Sequence, residues 1–303
     1  MKLIVESTDT LDRLDKFLSA KLPESTRSFI QKQIKSGSVT INGEPASPNQ
    51  KPKAGDVIEI EKLKALEPDI SPNAAVTFTV IDETPEYMVI EKPAGLVVHP
   101  ALGIHEPTLV NGLLAKYPKL VGVGEDPLRP GIVHRLDRDV SGLMVIARAQ
   151  KMFEHLKQQF KERIMSKGYI ALVHGVIHEE NGVIDTPIGR SQTKTGKMAA
   201  HTQMQEGDRD AKTEYTVEKR FTHNTLLSVK IHTGRSHQIR VHLNSIEHPI
   251  VGDRLYTNKR VKHKDLGRIF LHAAQLAFED LNGEQREYES KLPKELNDFV
   301  SSL

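Results

Sequence analysis

One stretch constrains this chain more than any other: GIVHRLDRDVSGLMVIAR, residues 131–148. Residues His134 to Asp139, apart from Leu136, are polar or charged, and apolar runs flank them. Ile132-Val133 leads in and Leu143–Ala147 leads out. Both runs are short and rich in β-branched residues, so they read as buried strands. Ser141-Gly142 reads as a turn between them. A carboxylate at a charged tip between two core strands is held rigidly, as catalysis requires. An ion-paired turn that caps a sheet would carry the same pattern.

Composition narrows what such a site can do. Lys and Arg number 42 against 40 Asp and Glu, a formal net charge of +2. A polyanion would therefore be met by local basic patches, not by overall charge. The chain has no cysteine, which excludes disulfides, thiolate metal sites and cysteine nucleophiles. There are 14 histidines but no HExxH pair, and no metal is expected. At 303 residues the chain suits one large domain and one small one. Met1–Arg13 carries Lys2, Glu6, Asp9 and Asp12 without an apolar core, unlike a signal peptide. No apolar run approaches the length of a membrane span. The expectation is a soluble, cytoplasmic protein with no membrane partner.

From the start, Leu11, Leu14, Leu18 and Leu22, with Phe17, recur at helical spacing until Pro23. Ser25 or Thr26 caps a second helix with the stripe Phe29, Ile30 and Ile34, stopped at Gly37. Val39 and Ile41 face inward on a strand leading to an Asn42-Gly43 hairpin turn. Gly55-Asp56 precedes a further strand, Val57–Ile60. Residues 1–62 thus form one compact unit. Arg13, Lys16, Arg27, Lys32 and Lys35 give its helices a basic side, although a solvated helix face looks the same. The order RLDKFL, TRSFIQKQIKSGSVTING, KAGDVIEI resembles the small RNA-binding domain first described in a small-subunit ribosomal protein, the S-four domain. That resemblance implies phosphate contacts from Arg13, Arg27, Lys32 and Lys35.

Residues 63–75, with Pro68, Pro72 and Asn73, read as a linker to a second domain over 76–303. There Val76, Phe78 and Val80 alternate as a strand, Tyr87–Glu91 form another, and Lys92–Gly95 a tight turn. Leu109, Leu113 and Leu114 indicate a helix, followed by a loop over 118–130. Phe153, Leu156, Phe160 and Ile164 line one helix face, ended by Gly168 before a strand Tyr169–His174. Tyr215, Val217 and Phe221 pair with Leu227, Val229 and Ile231 in a hairpin around Thr222-His223-Asn224. Ser236 caps a helix whose buried face is Ile239, Leu243 and Ile246, with Arg240 beside that face. GRSQTKTGKM, residues 189–198, has six residues between its glycines where a phosphate loop has four, and Met198 where that loop needs Ser or Thr. Its Arg190, Lys194 and Lys197 either touch a nucleic-acid backbone or are simply solvated. Gly122-Val123-Gly124 lacks a third glycine, since Pro127 stands there, and no nucleotide cofactor is expected.

The central stretch resembles the signature of RluA-type pseudouridine synthases, in which HRLD precedes a Ser-Gly pair and an apolar strand. EKPAGLVVHP, KGYIALVHG, TGRSHQIRVH and Phe270-Leu271-His272-Ala273 match further segments of that family. Three positions depart from its usual pattern. Val140 stands for Thr, Ser236 for Thr, and Glu279-Asp280 follows Phe278 where a His-Pro is usual. The resemblance implies an α+β fold: the small S-four-type domain, then a core with a large mixed, mainly antiparallel β-sheet flanked by helices. By the same resemblance Asp137 is the catalytic aspartate, Tyr169 stacks on the target base and Arg240 pairs with Asp137. His134, Arg135, Leu271 and His272 fall to the substrate pocket; Arg135 fills the gap left by the base or holds a phosphate.

Pseudouridine formation breaks the ribose-to-nitrogen bond, turns the uracil and rejoins it through carbon. One carboxylate suffices, as nucleophile at the anomeric carbon or as base at a neighbouring ribose proton. A paired target must first be flipped out of its stack. The expected partner is structured RNA, large-subunit ribosomal RNA ahead of transfer RNA, acted on by a monomer. A glycosidase or nucleosidase would need a second carboxylate, and Asp139, two residues from Asp137, points elsewhere in a turn. An inactive RNA-binding or ribosome-assembly protein is the non-enzyme alternative.

Overall fold

The computed structural model describes all residues except 8, 10, 11, 23, 24, 26, 62–68, 102, 103, 105, 192–196 and 258–265. The helix-stripe residue Leu11, the helix stop Pro23, the candidate cap Thr26, much of the 63–75 linker, and Lys194 lie outside the described residues. The chain divides into two compact units, Met1–Asp69 with Pro100–Glu106, and Ile70–His99 with Pro107–Leu303.

The first unit holds strand β1 (Lys2–Ile4), helices α1 (Leu14–Lys21) and α2 (Arg27–Lys35), and strands β2 (Val39–Ile41), β3 (Glu44–Pro45) and β4 (Val57–Ile60). The strands form an antiparallel sheet in the order β1-β4-β2-β3. Leu14, Leu18, Ile30 and Ile34 pack with Val39, Ile41, Ile58 and Ile60 in one core. The helical and alternating periods read from the sequence therefore meet as expected. Asn42 and Gly43 both have positive φ, 54° and 85°. This is the geometry that suits a two-residue hairpin loop to the strand twist. Strand β1 has only three residues, too few to show an alternation; it pairs with β4.

The second unit continues with β5 (Thr79–Glu83), β6 (Tyr87–Lys92), α3 (Leu109–Lys116), β7 (Ser141–Ala147), α4 (Gln150–Glu162) and β8 (Ser166–His174). Then come β9 (Asn181–Asp185), β10 (Ile188–Arg190), β11 (Met198–Ala200), β12 (Lys212–Arg220), β13 (Asn224–Ile231) and α5 (Gln238–Ser245). Strands β14 (Leu271–Glu279) and β15 (Gln285–Glu289) and helix α6 (Lys294–Ser301) complete it. Nine strands form one sheet in the order β5-β6-β7-β14-β8-β13-β12-β9, with β15 also on β14. Among the described residues, only the β7–β14 pairing within it is parallel. The fold is thus the α+β arrangement the resemblance implied.

All seven residues of β7 are buried. Met144 and Ile146 join the core with α3, and Leu143, Val145 and Ala147 join the one with α4. A strand covered on both faces reads as a continuous apolar run, which is the pattern seen in the sequence.

Four local expectations are corrected. Ser141-Gly142 is no turn but the first two residues of β7, opposite His272 and Ala273. Gly142 sits at φ 121°, where a Cβ would come within 2.2 Å of the Ala273 carbonyl oxygen, so glycine permits this close approach. Ile132-Val133 is not a strand; Ile132 makes a single bridge to Ile146. Helix α4 ends at Glu162, through Arg163 at φ 61°, leaving Ile164 exposed, while Gly168 lies inside β8. Helix α5 is entered through His237 at φ 58°, not capped by Ser236.

Candidate active site

The loop between Gly131 and the start of β7 carries His134, Arg135 and Asp137 to the wall of a cleft. A cleft of about 440 Å³ is lined there by Arg135, Asp137, Lys167, Tyr169, His237 and Arg240, with Val140, Ile231, Ile239 and Leu271 as apolar walls. That volume lies within the range of small-molecule sites, roughly 300–1,000 Å³. Asp137 is the one acidic residue among the described residues lining the cleft.

Asp137 Oδ2 accepts a hydrogen bond from Arg240 Nη1 at 2.8 Å. Arg240 is itself fixed from behind. Its Nε and Nη2 donate to Asp253 Oδ2 and Oδ1 at 2.7 and 3.0 Å. Asp253 is buried and also accepts the backbone N–H groups of Leu255 and Tyr256. The forked geometry of a guanidinium allows it to serve two carboxylates in one plane. A second group, His237, reaches Asp137 Oδ2 at 3.9 Å through Nε2, while its Nδ1 lies 2.9 Å from the Tyr256 hydroxyl. Its left-handed backbone is uncommon for a non-glycine residue and aims the ring into the cleft. Burial lowers the His237 pKa against the opposing pull of Asp137.

Tyr169 and Lys167 stand two apart on β8 and so share its cleft face. Tyr169 is buried, and burial followed by the Asp137 charge pushes its phenol well above the usual range, keeping it neutral. Arg135 is exposed at the cleft wall. His134 also lines the cleft, but its ring serves the scaffold. Nε2 accepts the Val145 N–H at 3.0 Å and the ring lies 5.0 Å from Phe160, centroid to centroid. Burial, aided by the Lys167 charge, pushes it down to about 3, so it is the neutral imidazole such an acceptor must be.

Leu271 lines the cleft, whereas His272 does not. Its alternate position on β14 turns it away from the cleft, where Nδ1 meets Ser141 Oγ at 2.9 Å and Nε2 meets Ser290 Oγ at 3.0 Å. His272 therefore ties β7 and β14 to the segment after β15 and is not a substrate contact. In the first unit, Arg13 and Arg27 both direct Nε and Nη2 at the buried Asp15. Burial pushes that carboxyl up, but Arg13, Gln31 and Arg27 outweigh it and hold Asp15 well below the usual range. Lys32 and Lys35 are exposed on α2.

Comparisons with known proteins identify the family. A family model described as RNA pseudouridylate synthase matches residues 86–245, and one described as S4 domain matches residues 12–58. The chain belongs to the RNA pseudouridylate synthase family. It is an isomerase that converts uridine in RNA to pseudouridine. An RNA pseudouridine synthase of Chloroflexus aurantiacus is 42% identical over 99% of this chain and 93% of its own. The ribosomal large subunit pseudouridine synthase D of Xanthomonas campestris is 36% identical over 96% of this chain and 88% of its own. Among solved structures, human RNA pseudouridylate synthase domain containing 4 is similar with a TM-score of 0.59 and 26% identity, covering 74% of this chain and 92% of that one.

Asp253, His237, Lys167 and the buried Lys92 escaped the sequence reading. Lys92 places its ammonium on the carbonyls of Pro93, Leu96 and Arg138, at 2.8, 2.8 and 3.0 Å, and so pins the residue after Asp137. A lysine within EKPAG carries no local sign of that burial. His237 stood inside the segment TGRSHQIRVH, whose family resemblance brought forward only Arg240.

Proposed function

We propose that Asp137 acts at the ribose anomeric centre of a uridine in large-subunit ribosomal RNA. The observation that carries this reading is the Asp137–Arg240 contact at 2.8 Å in a cleft that presents no second carboxylate among its described lining residues. A glycosidase would need that second acid. The N1–C1′ bond breaks, the uracil turns within the cleft, C5 bonds to C1′, and the C5 proton leaves as N1 regains one. Tyr169 supports this as a flat, neutral platform for the base, and Arg240 as the fixed cation beside the carboxylate. Arg135, exposed at the cleft wall, is suited to fill the gap in the RNA or hold its backbone. Val140 supplies an apolar wall where the family usually has Thr, and its buried methyls need no partner.

Ribosomal RNA as substrate rests on the relatives named ribosomal large subunit pseudouridine synthase D, in Xanthomonas campestris and Neisseria meningitidis. A monomer of two domains, 1–62 and 76–303, acting in the cytoplasm is the matching arrangement. The first domain would add phosphate contacts through Arg13, Arg27, Lys32 and Lys35. The test maps pseudouridine by carbodiimide adducts that stop reverse transcription on large-subunit ribosomal RNA transcript. New stops with the wild-type protein, absent with Asp137→Ala, are expected. Stops on transfer RNA alone would replace the substrate. Unchanged stops with Asp137→Ala would remove the aspartate from the mechanism.

A further inference from the structure

A second cavity of about 280 Å³ adjoins the cleft, and no acidic residue lines it among the described residues. The two share Phe160, Lys161, Lys167, Gly234 and Arg235. Lys167 stands at their junction. It is only 9% exposed, yet among the described residues it has no carboxylate partner. Its ammonium lies 4.8 Å from the Phe160 ring and faces Gly234, where an added Cβ would be 3.7 Å from Nζ. An unpaired ammonium in so dry a place is costly unless an anion joins it.

The surroundings deepen that need. Lys161 and Arg163 line the same wall without carboxylate partners among the described residues. Both sit at the carboxyl end of α4, whose dipole favours cations but reaches only its last turn. Arg163 holds a left-handed backbone, φ 61°, where glycine is commoner. Arg235, on the opposite wall, lies close enough to Arg163 and Arg209 to feel both charges, with Asp210 as the single opposing one. Burial pushes the Lys167 ammonium down to about 8, a value an arriving anion would reverse.

We propose that Lys167, with Arg163 and Arg235, forms a phosphate subsite that receives a backbone phosphodiester adjoining the flipped uridine. This rests on the reading of the cleft as the uridine site. The subsite would fix the nucleotide's register before chemistry, through a contact that reads backbone and not base.

The experiment measures binding of the full-length protein to RNA carrying a mapped target uridine, with one neutral methylphosphonate linkage placed on either side of it. One of the two linkages is expected to weaken wild-type binding about tenfold, the worth of one charge-assisted hydrogen bond. Lys167→Met should lose the same factor on unmodified RNA, lose nothing more on the neutral RNA, and lower the salt slope by about 1. Lys167→Arg should restore binding. In the absence of RNA, Lys167→Met should melt no lower than wild type, because a strained charge has been removed. A lower melting temperature, or losses that multiply independently, would overturn the proposal. Inorganic phosphate provides an arm independent of turnover: it should raise the melting temperature of wild type and not of Lys167→Met. That shift without a linkage effect assigns the subsite to free phosphate and overturns the RNA assignment. The shift in a protein that modifies no RNA tested would keep the phosphate subsite and discard the ribosomal RNA reading instead.

Discussion

Asp253 grips Arg240 with both carboxylate oxygens, at 2.7 and 3.0 Å, and leaves only Nη1 of that guanidinium for Asp137. Backbone N–H groups of Leu255 and Tyr256 hold Asp253 in turn. The cation beside Asp137 is therefore set by a residue that does not itself line the cleft.

Loosening that hold should misplace the cation without emptying the site. Asp253→Asn is expected to lower the single-turnover rate on the order of 10²-fold, the usual consequence of a displacement near 1 Å. RNA affinity should change little. Rates at saturating enzyme, alongside filter-binding affinities, check the split. Arg240→Lys should not rescue, because an ammonium cannot span both carboxylates in the plane of a fork.

Tyr169 offers its ring to the cleft at a buried position on β8. Tyr169→Leu keeps apolar character but removes the aromatic face. Stacking of a base on an aromatic ring is worth about 1–3 kcal/mol. Turnover at subsaturating RNA should fall by roughly that factor. Carbodiimide mapping over a concentration series reads it.

Acid should destabilise the fold through two histidines kept neutral. Burial pushes His134 down to about 3 and His272 down to about 4, the latter helped by Arg268. Both lie below the unfolded value of about 6.5. The unfolded chain thus binds protons that the folded chain refuses as pH falls from 6.5 towards 4. Stability is fully present above 6.5 and is lost through that window, at about 1.4 kcal/mol per pH unit for each histidine. Urea midpoints between pH 4.5 and 7.5 should show a slope that is shallower in His272→Gln, whose amide can still bridge Ser141 and Ser290.

Lys92 is fully buried, and its three ammonium hydrogens match three carbonyl oxygens. Burial, then Arg268, pulls it down to about 7 against Asp139 and Asp137. Lys92→Met should leave those carbonyls unpaired and cost on the order of 2–3 kcal/mol. It should also slow the reaction, since the Arg138 carbonyl beside Asp137 loses its anchor. Chemical denaturation and single-turnover rates together test this.

The sequence by itself determined the elements and most of their faces. Periodicity placed α1, α2 and α4, alternation placed β12 and β13, and Asn42-Gly43 fixed a hairpin by its backbone chemistry. These are local properties, set within a few residues by sterics and by side-chain spacing. The motifs likewise brought forward Asp137, Tyr169 and Arg240, which the fold gathers in one cleft although Asp137 and Arg240 are 103 residues apart. Tertiary structure decided the rest. Whether His272 faces substrate or bridges strands depends on which face of β14 lines the cleft. Whether Lys167 is solvated or stranded depends on what closes over β8. Asp253 became a clamp only when the loop after α5 folded back onto Arg240. Burial and charge pairing are sums over distant neighbours, and no short window of sequence contains those neighbours.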